Sequence, residues 1–136
     1  MQHNRIAIFG RVFNTSISPF IETLFTFLES KKIEVVIHQE FYDYLLSTTI
    51  CPKNLKTFRD NSDLPTDIDF LLSLGGDGTM LAAVSIIRDS GIPVAGINFG
   101  RLGFLANIPK ENIEKALDKI INKQYTIQKR TLLSVH

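Results

Sequence analysis

The sequence predicts an α/β domain with a mainly parallel sheet flanked by helices. Three observations carry that expectation. Short apolar runs with little polar alternation, at residues 6–9, 35–37, 69–74 and 94–97, read as strands buried on both faces, as parallel strands are. Stretches with apolar residues at helical spacing lie between them, so strand and helix alternate along the chain. Two of the runs end abruptly in glycine-rich segments, which punctuate strand-to-helix connections.

Ile6-Ala7-Ile8-Phe9, closed by Gly10, is the first strand. Ser18 and Pro19 suit the N-cap and first position of a helix. Phe20, Ile21, Leu24, Phe25, Phe27 and Leu28 give it a broad apolar face, and Lys31 and Lys32 suit its C-terminus. Val35-Val36-Ile37, ending near His38, completes a βαβ unit, whose crossover is right-handed in nearly all proteins. A short helix is expected over residues 40–47 with Tyr42, Leu45 and Leu46 inward. Residues 48–65 lack periodicity and read as an irregular excursion over the edge of the active site. After the strand at 69–74, a helix over residues 79–90 is apolar on most sides and should be deeply buried. Gly91 ends it, and Pro93 blocks any return to helix before the strand at 94–97. Pro109 then opens a helix with Ile113, Ala116, Leu117, Ile120 and Ile121 on one stripe. Tyr125 and Ile127 lead a last extended stretch.

A chain of 136 residues is one domain's length. Fifteen Lys and Arg against fourteen Asp and Glu leave a charge of +1, so no long-range field favours nucleic acid or a membrane surface. Cys51 stands alone, which excludes an internal disulfide and a cysteine metal site. His3, His38 and His136 fit no ligand spacing, so no protein-held metal is expected. Residues 2–5 lead straight into the first strand without a signal-peptide pattern, and no apolar stretch is long enough to span a bilayer. A cytoplasmic enzyme domain is the expectation.

The chemistry concentrates at Gly75-Gly76-Asp77-Gly78-Thr79, where a strand meets a helix. Such a turn lets backbone N–H groups close on a phosphate. A carboxylate facing phosphate repels it, so Asp77 would need a chemical role, either holding a cation or accepting a proton from an attacking hydroxyl. The residues leave a second reading open, in which the glycines only make a tight turn and Asp77 caps the helix. The turn has neither the Gly-Lys-Ser/Thr of a Walker A loop nor the spacing Gly-x-Gly-x-x-Gly. A second segment, residues 96–106 (GINFGRLGFLA), follows the strand at 94–97. Parallel strands put both segments on one rim, where they can face one ligand. Asn98 and Gly100 either shape their turn or touch that ligand, Arg101 is a solvated loop charge or a phosphate contact, and Leu81 and Leu102 read as core.

Taken together, the two segments resemble those of the NAD kinase family. Gly75-Gly76-Asp77-Gly78-Thr79 is similar to a signature shared by NAD kinases, diacylglycerol and sphingosine kinases and, more distantly, phosphofructokinases. The segment ending in Gly103-Phe104-Leu105 resembles the NAD kinase loop, while the Pro-x-Gly-Thr-x-Asn-Asp pattern of the lipid kinases is absent. The resemblance implies a Rossmann-like N-terminal domain over residues 1–128, with residues 129–136 beginning a truncated, β-rich second domain. It implies transfer of a phosphoryl group from ATP, with Mg²⁺, to the adenosine-ribose 2′-hydroxyl of NAD. Asp77 would be the catalytic residue and an NAD contact, with Gly78, Arg101 and Phe104 also on NAD. Gly75, Gly76, Gly78, Thr79, Asn98 and Gly100 would face phosphate. It further implies a homo-oligomer at full length and little turnover by these residues alone. The alternatives are a lipid kinase and a non-catalytic nucleotide-binding module.

Overall fold

The computed structural model describes residues 5–11, 18–48, 52–65, 67–87, 90–98, 108–109 and 115. Six strands form one sheet: β1 (Arg5–Gly10), β2 (Glu34–His38), β3 (Lys56–Phe58), β4 (Phe70–Gly75), β5 (Val94–Asn98) and β6 (Ile108–Pro109). Their order is β3-β2-β1-β4-β5-β6, and every neighbouring pair is parallel. The strands alternate with α1 (Ser18–Ser30), α2 (Gln39–Thr48) and α3 (Asp77–Ile87). This is the order of doubly wound sheets, in which the chain works outward from the middle in both directions.

The two faces of the sheet carry separate cores. On one, Ile6, Ile8, Val35, Ile37, Phe70, Leu72, Leu74 and Ile97 pack against Ile21, Leu24, Phe25 and Leu28 of α1 and Phe41, Tyr42 and Leu45 of α2. On the other, Ala7, Phe9, Val36, Phe58 and Leu71 pack against Leu64, Ile68, Ile92 and the α3 residues Ala83 and Ile87. The period-2 alternation of strand side chains supplies both cores from the same apolar runs. The helices therefore divide, α1 and α2 to one face and α3 to the other, and they part between β1 and β4.

Local chemistry sets the ends of these elements. Lys32 sits in the left-handed region (φ 57°), where the N–H of Lys32 donates to the Glu29 carbonyl and that of Ile33 to the Leu28 carbonyl, both at 3.0 Å. That pair of bonds closes α1 and turns Ile33 into the core. At the opposite end of the sheet from the glycine segments, Arg5 clasps Glu34 and Asp67, each at 2.9 Å.

Four expectations need correction. Residues 48–65 are not wholly irregular: they hold β3, which pairs with β2 at the outer edge of the sheet, and a single 3₁₀ turn, Asn61–Asp63. Leu46 is 46% exposed; the inward face of α2 is Phe41, Tyr42 and Leu45, and Leu46 lies past its margin. The third helix begins at Asp77 rather than at residue 79, and Leu81 on it is 46% exposed rather than core. Pro109 itself ends β6 opposite Asn98; residues 110–114, where the helix expected after it would start, lie outside the described residues. Residues 113, 116, 117, 120, 121, 125, 127 and 129–136 lie outside the described residues, as do most of those named in the second glycine segment.

Candidate functional site

Three strand ends meet on one rim. Gly75 at the end of β4 is the register partner of Asn98 at the end of β5. On the other side Gly10 of β1 is paired with Leu74, and the Arg11 N–H donates to the Leu74 carbonyl at 3.2 Å. Because α1 and α3 leave for opposite faces, a crevice opens at this point in sheets of this topology.

The first segment is the N-terminus of α3. Met80 N–H donates to the Gly76 carbonyl at 3.0 Å, so Gly76 is the N-cap and Asp77, Gly78 and Thr79 are the first three helical residues. The helix offers their N–H groups no acceptor, and its dipole makes this end positive. Asp77 thus lies inside the first turn, not at the capping position.

The three glycines serve different ends. Gly75 adopts φ 156°, and a Cβ there would lie 2.8 Å from Thr79 Cβ and in closer conflict with Thr79 Oγ1. Thr79 is buried beneath it, so glycine at residue 75 is required by the fold. At Gly76 and Gly78 an added Cβ would meet nothing within 4 Å among the described residues, and neither has a left-handed φ. Neither packing nor backbone strain asks for glycine at those two positions.

Beneath the rim a row of register positions crosses five strands on the α3 face: Phe58, His38, Phe9, Ser73 and Gly96, the last with no side chain. The His38 ring meets the edges of Phe9 and Phe58 at centroid distances of 4.8 and 5.4 Å. Ser73 Oγ and His38 Nδ1 are buried without a hydrogen-bond partner among the described residues. The Arg11 guanidinium lies over the Phe9 ring, 5.5 Å from its centroid. Among the described residues no group of three or more His, Cys, Asp or Glu side chains could hold a metal ion.

The model of the ATP-NAD kinase N-terminal domain matches residues 6–125. The chain belongs to that family. The NAD kinase of Flavobacterium johnsoniae is 44% identical over 131 residues, covering 96% of this chain and 45% of that relative. The NAD kinase of Flavobacterium psychrophilum is 46% identical over the same length and shares. The NAD kinase of Methanothermobacter thermautotrophicus is 32% identical over 132 residues, covering 97% of this chain and 44% of its own length. The chain thus spans a little under half of each of these relatives. The crystal structure of yeast NADH kinase complexed with NADH shares the fold, with a TM-score of 0.71 at 23% identity over 88% of this chain and 38% of that one.

Of the residues expected from the sequence, the ATP-NAD kinase fold brings Gly75, Gly76, Asp77, Gly78, Thr79 and Asn98 to one rim. Gly100, Arg101, Leu102 and Phe104 lie outside the described residues. Arg11 carries no local motif that marks it. The signal for it is topological: it follows the first strand, the one that ends beside β4.

Proposed function

We propose that this chain is the nucleotide-binding half of an NAD kinase, which moves the γ-phosphoryl group of ATP to the adenosine-ribose 2′-hydroxyl of NAD. The observation that carries the reading is the pairing of Gly75 with Asn98, which brings the glycine turn and the start of the second segment to one rim beside the N-terminus of α3. The reaction breaks the bond between the γ-phosphorus and the bridging oxygen of ADP and forms one to the ribose oxygen. The hydroxyl proton must leave, and Asp77, in the first turn of α3, is the group we assign to accept it. The N–H groups of Gly78 and Thr79 are aimed out of the helix and suit the phosphoryl oxygens, whose charge is spread in a loose transition state. The bare surface at Gly76 and Gly78 supports close approach of a phosphate there.

Mg²⁺ enters this reading with ATP. That ion is commonly held by phosphate oxygens and one or two carboxylates, keeping several waters, and does not need a protein cage. A single carboxylate at Asp77 is compatible with that donor set. When bound, the ion would neutralise phosphate charge.

We further assign Phe104 and Arg101 to the NAD side, Asn98 and Gly100 to the phosphate side, residues 1–128 to this domain and residues 129–136 to the start of a β-rich one. Among the described residues no helix is long and apolar enough to cross a membrane. The lone Cys51 suits a reducing, cytoplasmic setting, and the full-length enzyme is taken as a homo-oligomer.

The test is NADP formation from NAD, ATP and Mg²⁺ by the full-length protein, read through an NADP-specific dehydrogenase. Asp77→Asn should keep the far-ultraviolet circular dichroism of the parent and lose about 10²–10⁴-fold in turnover, the usual worth of a general base. Near-normal turnover by a folded Asp77→Asn protein ends the assignment of Asp77. Absence of NADP formation by the folded parent ends the NAD kinase reading.

A further inference from the structure

A triphosphate bound at the N-terminus of α3 would face a carboxylate and a set of backbone dipoles, with no lysine or arginine in the Gly75–Thr79 turn itself. A Walker A loop supplies its own lysine for this purpose; this turn does not. Positive charge beyond that of the nucleotide's own Mg²⁺ would come from elsewhere on the rim. Among the described residues, Arg5 and Lys56 begin β1 and β3 at the opposite end of the sheet, and Lys31 and Lys32 close α1 just before β2 begins. Arg59 follows β3 on the correct rim, yet β3 stands three strands from β4, about 14 Å away at ordinary strand spacing. Arg11 follows β1, the immediate neighbour of β4, and its own N–H is bonded to the carbonyl just before Gly75.

We propose that Arg11 is a binding residue for the polyphosphate chain of the nucleotide donor, held in place by stacking on Phe9. This deepens the kinase reading above and rests on it. Three features favour it. The residue is exposed, so its charge is available, and among the described residues its guanidinium forms no ion pair. Its contact is the Phe9 ring at 5.5 Å. A guanidinium held over a ring by cation–π attraction still has N–H groups for a partner, and its planar fork matches a phosphate bidentately. The platform is rigid: Phe9 is 2% exposed and is wedged against the His38 ring, which is in turn wedged against Phe58. Ordering a long side chain in advance lowers the entropy lost on binding.

The experiment is steady-state kinetics of the full-length protein with ATP and NAD varied separately, on Arg11→Met, Arg11→Gln and Arg11→Lys. Methionine keeps an apolar cover over Phe9 and removes the charge, so it separates phosphate binding from packing. Arg11→Met and Arg11→Gln should raise the KM for ATP about 10- to 100-fold, the worth of a lost charge-assisted contact, with the KM for NAD unchanged. Arg11→Lys should recover part of the loss, because it restores charge without the planar fork. A KM for ATP unchanged in Arg11→Met, or raised in step with that for NAD, overturns the proposal. Should the folded parent form no NADP, the kinase reading fails, and Arg11 is then judged by titration with inorganic tripolyphosphate. A tenfold weaker Kd in Arg11→Met supports it, and an unchanged Kd overturns it.

Discussion

Substituting alanine for Gly75 and for Gly78, two glycines three residues apart, should give opposite phenotypes. At Gly75 a methyl group meets Thr79 Cβ at 2.8 Å and must adopt φ 156°. Overpacking a tight site costs about 1–3 kcal/mol, and a backbone conformation that is nearly glycine-only costs about 1–3 kcal/mol more. For a domain of this size the sum lowers Tm by on the order of 10–20 °C. At Gly78 the added methyl enters open space on a helix, where alanine is the better residue by up to about 1 kcal/mol. Gly78→Ala should therefore hold or raise Tm by a few degrees. Its turnover should nevertheless fall, because the methyl occupies the surface a phosphate would approach. Differential scanning calorimetry and the NADP-forming assay on the same preparations read both quantities. A Gly78→Ala protein that loses as much Tm as Gly75→Ala would show that the glycine is structural. One with raised Tm and full turnover would show that no phosphate approaches that turn.

Ser73 carries a buried hydroxyl with no partner among the described residues. Ser73→Ala should be neutral or stabilising by up to about 1 kcal/mol in urea unfolding, since an unpaired buried hydroxyl costs more than it returns; a loss beyond about 1 kcal/mol would mean the hydroxyl has a partner. Asp63 accepts N–H bonds from Asp60 at 3.0 Å and from Arg59 at 2.9 Å, which hold its carboxyl below the ordinary carboxylate value. A lowered carboxyl contributes stability above its unfolded value and loses it as pH falls through the folded one. The stability gap between the parent and Asp63→Ala should therefore narrow as pH drops below about 4, and a gap independent of pH would refute the assignment.

What the sequence made legible were the elements whose residues are apolar on both faces. The runs at 6–9, 35–37, 69–74 and 94–97 read as buried parallel strands, and they form β1, β2, β4 and β5. Strand β3 escapes a sequence reading because Lys56-Thr57-Phe58 is three residues at a sheet edge with one buried side chain, too short for any period to show. Pro109 itself lies in a strand for a related reason. Proline does suit the start of a helix, but it also suits the end of a two-residue edge strand, where its missing N–H leaves little of the ladder undone. Helix α3 starts two residues before the expected position and takes in Gly78, a residue of low helix propensity. The penalty is small in the first turn, where the N–H groups are unpaired in any case. The candidate residues Gly75 to Thr79 and Asn98 are readable because a motif names them. Arg11 is not, because its claim rests on strand order, and strand order is absent from any local pattern.

That contrast follows from the way the turn is made. A loop that carries its own lysine can bind phosphate wherever a strand meets a helix, so local sequence is enough to find it. The Gly75–Thr79 turn carries a carboxylate instead, which suits a reaction that must take a proton from a hydroxyl but weakens the hold on an anion. On the proposal above, positive charge beyond that of Mg²⁺ is borrowed from a neighbouring strand. Only one place in a doubly wound sheet lets it come close without a covering helix between: the switch point, where adjacent helices leave for opposite faces. Here that point falls between β1 and β4. The residue after β1 is thus placed to share the crevice with α3, and in this chain that residue is Arg11.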